Sequence, residues 1–172
     1  MKIVILTSGP RGTGKSTYSK LIKEAHPDIK YLSRDELLID SFGVTALDSY
    51  SGGYEYIDRL FTKQLKEILA EDSDIKIIAD YWNGYSSGRR ALIKNFKECG
   101  ADLVYCFKFI IPKEICLNWF FKKPDSRGYS ERGISNDYNL YYRTSENIED
   151  DGFDAIYYIN PLQLTIPGFP LI

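Results

Sequence analysis

The chain has 172 residues, 44% hydrophobic and 27% charged, enough for one domain with a real core and ordinary for a soluble globular protein. A formal net charge of −2 excludes a global positive field that would recruit nucleic acid, so any polynucleotide contact needs a local basic patch. Cys99, Cys106, Cys116 and the single His26 offer no zinc-ligand set, and no segment approaches the roughly 20 apolar residues of a membrane span. These features predict buried free thiols in a reducing cytosol and a cytoplasmic protein with no membrane partner.

Lys2 to Thr7 is a short β-branched, apolar run, as a buried parallel strand should be. Gly9-Pro10-Arg11-Gly12-Thr13-Gly14-Lys15-Ser16 follows and fits G-x-x-x-x-G-K-[ST], the phosphate-binding P-loop, without a mismatch. Thr17 to Ala25 then places Tyr18, Leu21, Ile22 and Ala25 on one helix face. Strand, glycine loop and helix are the context this motif demands. The glycines let backbone N–H groups close around phosphates, and the helix aims its positive end at the same anion. Gly9, Arg11, Gly12, Thr13, Gly14, Lys15, Ser16 and Thr17 are thus expected to hold a nucleoside triphosphate. Lys15 would reach the β- and γ-phosphates, and the Ser16 hydroxyl would sit on Mg²⁺.

His26-Pro27-Asp28 is a turn signal, and Ile29 to Leu32 reads as a second strand. Ser33 and Glu36 are spaced as a capping box before a helical pattern at Leu37, Leu38 and Ile39. In an open α/β sheet, ligands bind beyond the C-terminal ends of the strands. Asp35 stands there and can face the γ-phosphate from the acceptor side as a general base. Alternatively, Asp35 and Glu36 only decorate a helix N-terminus, where acids are favoured.

Residues 43–54 are loop-like, and Tyr56 to Leu69 form a strongly amphipathic helix. Asp74 to Asp80 is a third strand, and Asp80 falls where an acid near Mg²⁺ sits in P-loop enzymes. The loop from Tyr81 to Gly88 carries Tyr81, Trp82 and Tyr85. Such aromatics either stack on a base or sugar, as expected of Trp82, or pack under a neighbouring helix. Arg89 and Arg90 open the next helix, where basic residues are unfavourable. Either one of them, Arg89, has another task such as contact with substrate phosphate, or both are simply solvated at the surface.

Asp102 to Ile111 is a fourth strand, and Pro112 to Phe121 a helix with proline at its first position. Residues 122–133 hold Lys122, Lys123, Arg127 and Arg132 beside two glycines and a proline. That composition suits a basic lid bringing Arg127 or Arg132 onto the transferring phosphate. Ile134 to Asn147 reads as helix, Asp154 to Asn160 as the last strand, and residues 161–172 as an irregular tail. Five strands alternating with helices predict one α/β domain over residues 1–172, a parallel sheet covered on both faces.

Lys2 to Thr17, followed by Tyr31-Leu32-Ser33-Arg34-Asp35-Glu36, resembles the kinase domain of phage-type 5′-hydroxyl polynucleotide kinase. That family belongs to the adenylate-kinase-like P-loop phosphotransferases. The likeness extends to the strand ending in Asp80, the Arg89-Arg90 pair, and Ile111-Pro112 leading into a helix and basic lid. It implies ATP and Mg²⁺ as cofactors, with Lys15 and Ser16 at the phosphates. It also implies Asp35 as the base activating a polynucleotide 5′-hydroxyl, and Arg34 and Asp80 as active-site residues. The family's arginine three residues after the catalytic aspartate is Leu38 here, and an arginine of its lid helix is Trp119. Two other readings stay open. One is a kinase for a nucleoside, nucleotide or other small molecule, similar to adenylate-kinase-like or zeta-toxin-type enzymes. The other is an NTPase without an acceptor, against which Asp35 and the lack of an N-K-x-D motif both speak.

Overall fold

The computed structural model describes residues 1–44, 52–71, 73–126 and 128–163. Arg127, much of the loop expected over 43–54 and most of the expected tail therefore lie outside the described residues. The strands are β1 (Lys2–Ser8), β2 (Lys30–Ser33), β3 (Ile75–Asp80), β4 (Leu103–Phe109) and β5 (Ala155–Ile159). They form one parallel sheet in the order β2-β3-β1-β4-β5. The helices are α1 (Lys15–Ala25), α2 (Arg34–Phe42), α3 (Gly53–Leu69), α4 (Ser86–Glu98), α5 (Lys113–Phe121) and α6 (Glu131–Thr144).

The two-residue period of β1 divides the core. Val4 and Leu6 face one side, with Phe61 and Leu65 of α3 and Phe96 of α4. Ile3 and Ile5 face the other, with Tyr18 and Ile22 of α1. Phe61, Leu65 and Phe96 are almost wholly buried, each stabilising by about 1.5–3 kcal/mol relative to exposure. β1 lies at the centre, with Leu6 in register with Ala79 of β3 and Cys106 of β4. The loop that follows β1 thus opens in the middle of the sheet's C-terminal edge.

α2 starts at Arg34, as the capping box implies, with Ser33 Oγ accepting the Glu36 N–H at 3.3 Å. Other boundaries differ from expectation for local reasons. β4 stops at Phe109, because the Ile111 N–H turns to the Tyr142 hydroxyl at 3.4 Å. α6 begins at Glu131, where Ser130 Oγ accepts the Gly133 N–H at 3.0 Å. Short 3₁₀ turns at Pro124–Ser126 and Ile148–Asp151 carry no periodic signal. Cys99, Cys106 and Cys116 are buried free thiols. Among the described residues, no helix is long and apolar enough to cross a membrane.

Candidate active site

β1 delivers the chain to Gly9, and α1 receives it at Lys15. Gly12 and Gly14 sit at φ +82° and +81°, a conformation L side chains rarely adopt. A Cβ on Gly12 would also lie 2.5 Å from the Cys116 carbonyl of α5. The buried Thr13 hydroxyl donates to Pro10 O at 2.9 Å and fixes the loop's curl. Gly14 caps α1 without a side-chain bond, so the first N–H groups of the helix face the loop's hollow. Lys15 Nζ donates to Gly9 O at 2.8 Å and Pro10 O at 2.9 Å. Burial pulls the Lys15 ammonium below its ordinary proton affinity, while the nearby Asp80 charge opposes that.

Asp80, at the tip of β3, collects three donors. Thr7 Oγ1 reaches Oδ1 at 3.0 Å, and Ser16 Oγ and Tyr31 OH reach Oδ2 at 2.8 and 3.1 Å. Asp35 sits in the capped first turn of α2. Burial, then the Asp80 charge, raises its carboxyl above the ordinary range; Arg34, Lys15 and Arg11 pull the other way.

Arg34 and the segment after β3 form a second wall. Arg34 Nε donates to Asp58 of α3 at 3.2 Å, and its guanidinium lies 4.7 Å from the Tyr54 ring and 5.1 Å from the Tyr81 ring. The Tyr81 hydroxyl donates to the same Asp58 carboxylate at 2.6 Å. Asn83 Nδ2 donates to Thr7 O and Tyr81 O, both at 2.7 Å, and Asn83 Oδ1 accepts from Ser8 at 2.6 Å. Ser8 also bonds the Tyr141 hydroxyl of α6 at 2.7 Å.

Together these walls enclose a cavity of about 410 Å³. It is lined by the P-loop from Gly9 to Ser16 and by Arg34, Asp35, Asp80 and Trp82. Thr17 is exposed on α1 and does not line it. Of the 122–133 segment, Lys123 and Tyr129 line it, with Tyr129 under the Arg11 guanidinium at 5.0 Å.

Besides Thr17, two expectations need correction. Arg89 does not face phosphate: it is fully buried and pairs with Asp151 at 2.5 Å. It also donates to Asn83 O at 3.1 Å and Thr144 O at 2.7 Å. The unfavourable position at the start of α4 is offset by that buried pair, not by a ligand. Arg132 is exposed on the first turn of α6 and does not line the cavity. Tyr31, Asp58 and Tyr54 escaped the sequence reading. Their partners lie 20 or more positions away, and nothing in helical or strand period marks them.

Among the described residues, no cluster of three or more His, Cys, Asp or Glu could hold a metal unaided. Ser16 and Asp80 offer hard oxygens 2.8 Å apart beside the P-loop. That set fits Mg²⁺, which takes one or two protein oxygens and fills its shell with water and phosphate.

No protein-family model matches the chain. A guanylate kinase of Oceanobacillus iheyensis is 29% identical over 102 residues, 59% of this chain and 45% of that protein. The fold is similar to a chain of the Pnkp1/Rnl/Hen1 RNA repair complex, with a TM-score of 0.70 and 18% identity. That match covers 84% of this chain and 45% of the other. A tunicamycin resistance protein of Deinococcus radiodurans aligns with a TM-score of 0.64 and 16% identity over 95% of this chain and 88% of its own. The chain thus spans less than half the length of the guanylate kinase and of the RNA-repair chain. The architecture is that of the P-loop kinases.

Proposed function

We propose that this protein transfers the γ-phosphate of ATP to a hydroxyl, with a polynucleotide 5′-hydroxyl as the acceptor. The observation that carries this reading is the shared cavity. Asp35, on its capped turn, opens onto the same space as Lys15, Ser16 and Asp80. A phosphate-binding loop alone needs no carboxylate in its cavity, whereas one placed there can accept the proton of a hydroxyl acceptor.

In this reading the P-loop N–H groups and Lys15 hold the phosphates. Lys15 exchanges its Gly9 and Pro10 carbonyls for phosphate oxygens. Ser16 and Asp80 would hold Mg²⁺, which would supply charge neutralisation at the phosphates. Asp35 accepts the acceptor's proton, and its raised proton affinity suits a base. Lys123 lines the cavity and takes the place expected of a lid arginine. The likeness to a chain of an RNA repair complex supports a polynucleotide acceptor.

A small-molecule acceptor is the second reading, favoured by the acceptor wall. Leu38, where the resembled polynucleotide kinases carry an arginine, is wholly buried and offers the acceptor no cation. An acceptor panel with labelled ATP and Mg²⁺ tests both readings. Label on 5′-hydroxyl oligonucleotides supports the first, and label only on nucleosides or other small hydroxyl compounds establishes the second.

A further inference from the structure

Trp82 and Tyr85 are large aromatic side chains left 54% and 44% exposed beside a cavity lined by Asp35 and Arg34. Their placement is built. The Trp82 indole lies across Gly84, where an added Cβ would sit 2.7 Å from the ring. Tyr85 meets it edge-to-face, with centroids 5.5 Å apart. The intervening Asn83 is buried and anchored to β1 through Thr7 and Ser8, and Arg89 holds its carbonyl. The indole is therefore presented to solvent by a stiff loop. On the cavity side, Tyr81 of the same loop faces the Arg34 guanidinium.

We infer that Trp82, backed by Tyr85, is a stacking platform for the second base of a single-stranded acceptor, with Arg34 beside the phosphate that links it to the reacting nucleoside. This rests on the polynucleotide reading above and deepens it, since a nucleoside would leave the platform unused. The shared wall is the support: Asp35, Arg34 and Trp82 line one cavity, and Tyr81, next to Trp82 in the loop, lies 5.1 Å from the Arg34 guanidinium. Aromatic rings serve single strands in this way because every base has a π-face, and a cation beside them follows the backbone.

The test compares thymidine 3′-phosphate with a 5′-hydroxyl tetrathymidylate as acceptors of phosphate from Mg²⁺–ATP. The tetranucleotide should be the better substrate by kcat/KM. Trp82→Ala should narrow that advantage by about tenfold or more through KM, and Trp82→Phe should keep most of it. Tetrathymidylate should quench tryptophan emission of the wild-type chain, and Trp82→Phe should remove that quenching although Trp119 remains. If both acceptors are phosphorylated and Trp82→Ala lowers both by one factor, the platform is overturned while the polynucleotide reading stands. If neither is phosphorylated while a small hydroxyl compound is, the underlying reading falls and the platform with it.

Discussion

Ser16 Oγ donates to Asp80 Oδ2 at 2.8 Å, joining the first turn of α1 to the tip of β3. The same carboxylate accepts from Thr7 and Tyr31. Asp80→Ala therefore removes the acceptor for three hydroxyls and, in the proposed reading, a group that would help hold Mg²⁺. The cost to folding should be about 1–3 kcal/mol, seen in urea titration. Nucleotide affinity should lose most of its dependence on Mg²⁺, seen by calorimetry with and without the metal.

Asp35→Asn should keep ATP binding and lower transfer by roughly 10²–10⁴-fold. The pH dependence has a defined sign. The folded carboxyl holds its proton more tightly than the ordinary value of 3.8. The protonated form therefore favours the fold, a contribution complete below about 3.8 and lost as pH rises through the folded pKa. At pH 7 the ionised Asp35 is a cost. Asp35→Asn should raise Tm at pH 7, and the gain should fade as pH falls towards 4. Transfer by the wild type should rise with pH through a step placed above that of an ordinary aspartate.

Arg89 and Asp151 are an ion pair with both side chains almost fully buried. Removing one partner leaves an uncompensated buried charge. Arg89→Met should cost about 3–5 kcal/mol in chemical denaturation, and adding Asp151→Leu should recover much of it.

How far the sequence spoke depends on range. The P-loop, its flanking strand and helix, the Ser33–Glu36 cap and the acid at Asp80 were all legible. Each is dictated by backbone conformation or by neighbours a few residues away. Arg89 was misread because its partner, Asp151, lies 62 residues on in a 3₁₀ turn with no hydrophobic period. Arg34 lines the cavity, but the Asp58 contact that holds it depends on how α2 and α3 lie against each other. The spacing of 24 residues does not encode that.

Gly12 is the position at which the loop tolerates least. Its φ of +82° disfavours any side chain, and a Cβ would meet Cys116 O at 2.5 Å and Phe120 Cβ at 2.8 Å. Gly12→Ala should push α5 off the P-loop. The readouts are a lower Tm and a loss of nucleotide affinity of at least about tenfold. A Gly43→Ala control, equally left-handed at φ +72° but with open space around it, should lower Tm without changing that affinity.

One guanidinium clasps the Thr144 carbonyl at the end of α6, the Asn83 carbonyl in the loop bearing Trp82 and the Asp151 carboxylate, so three segments of the chain meet at Arg89. The far end of α6 is thereby pinned to the body of the molecule. Ile134 is buried nearer the other end of α6, and the Tyr138 and Tyr142 hydroxyls donate to Ile111 O and Phe109 O, so the helix is held along its length and ties the strand end after β4 to the loop bearing Trp82.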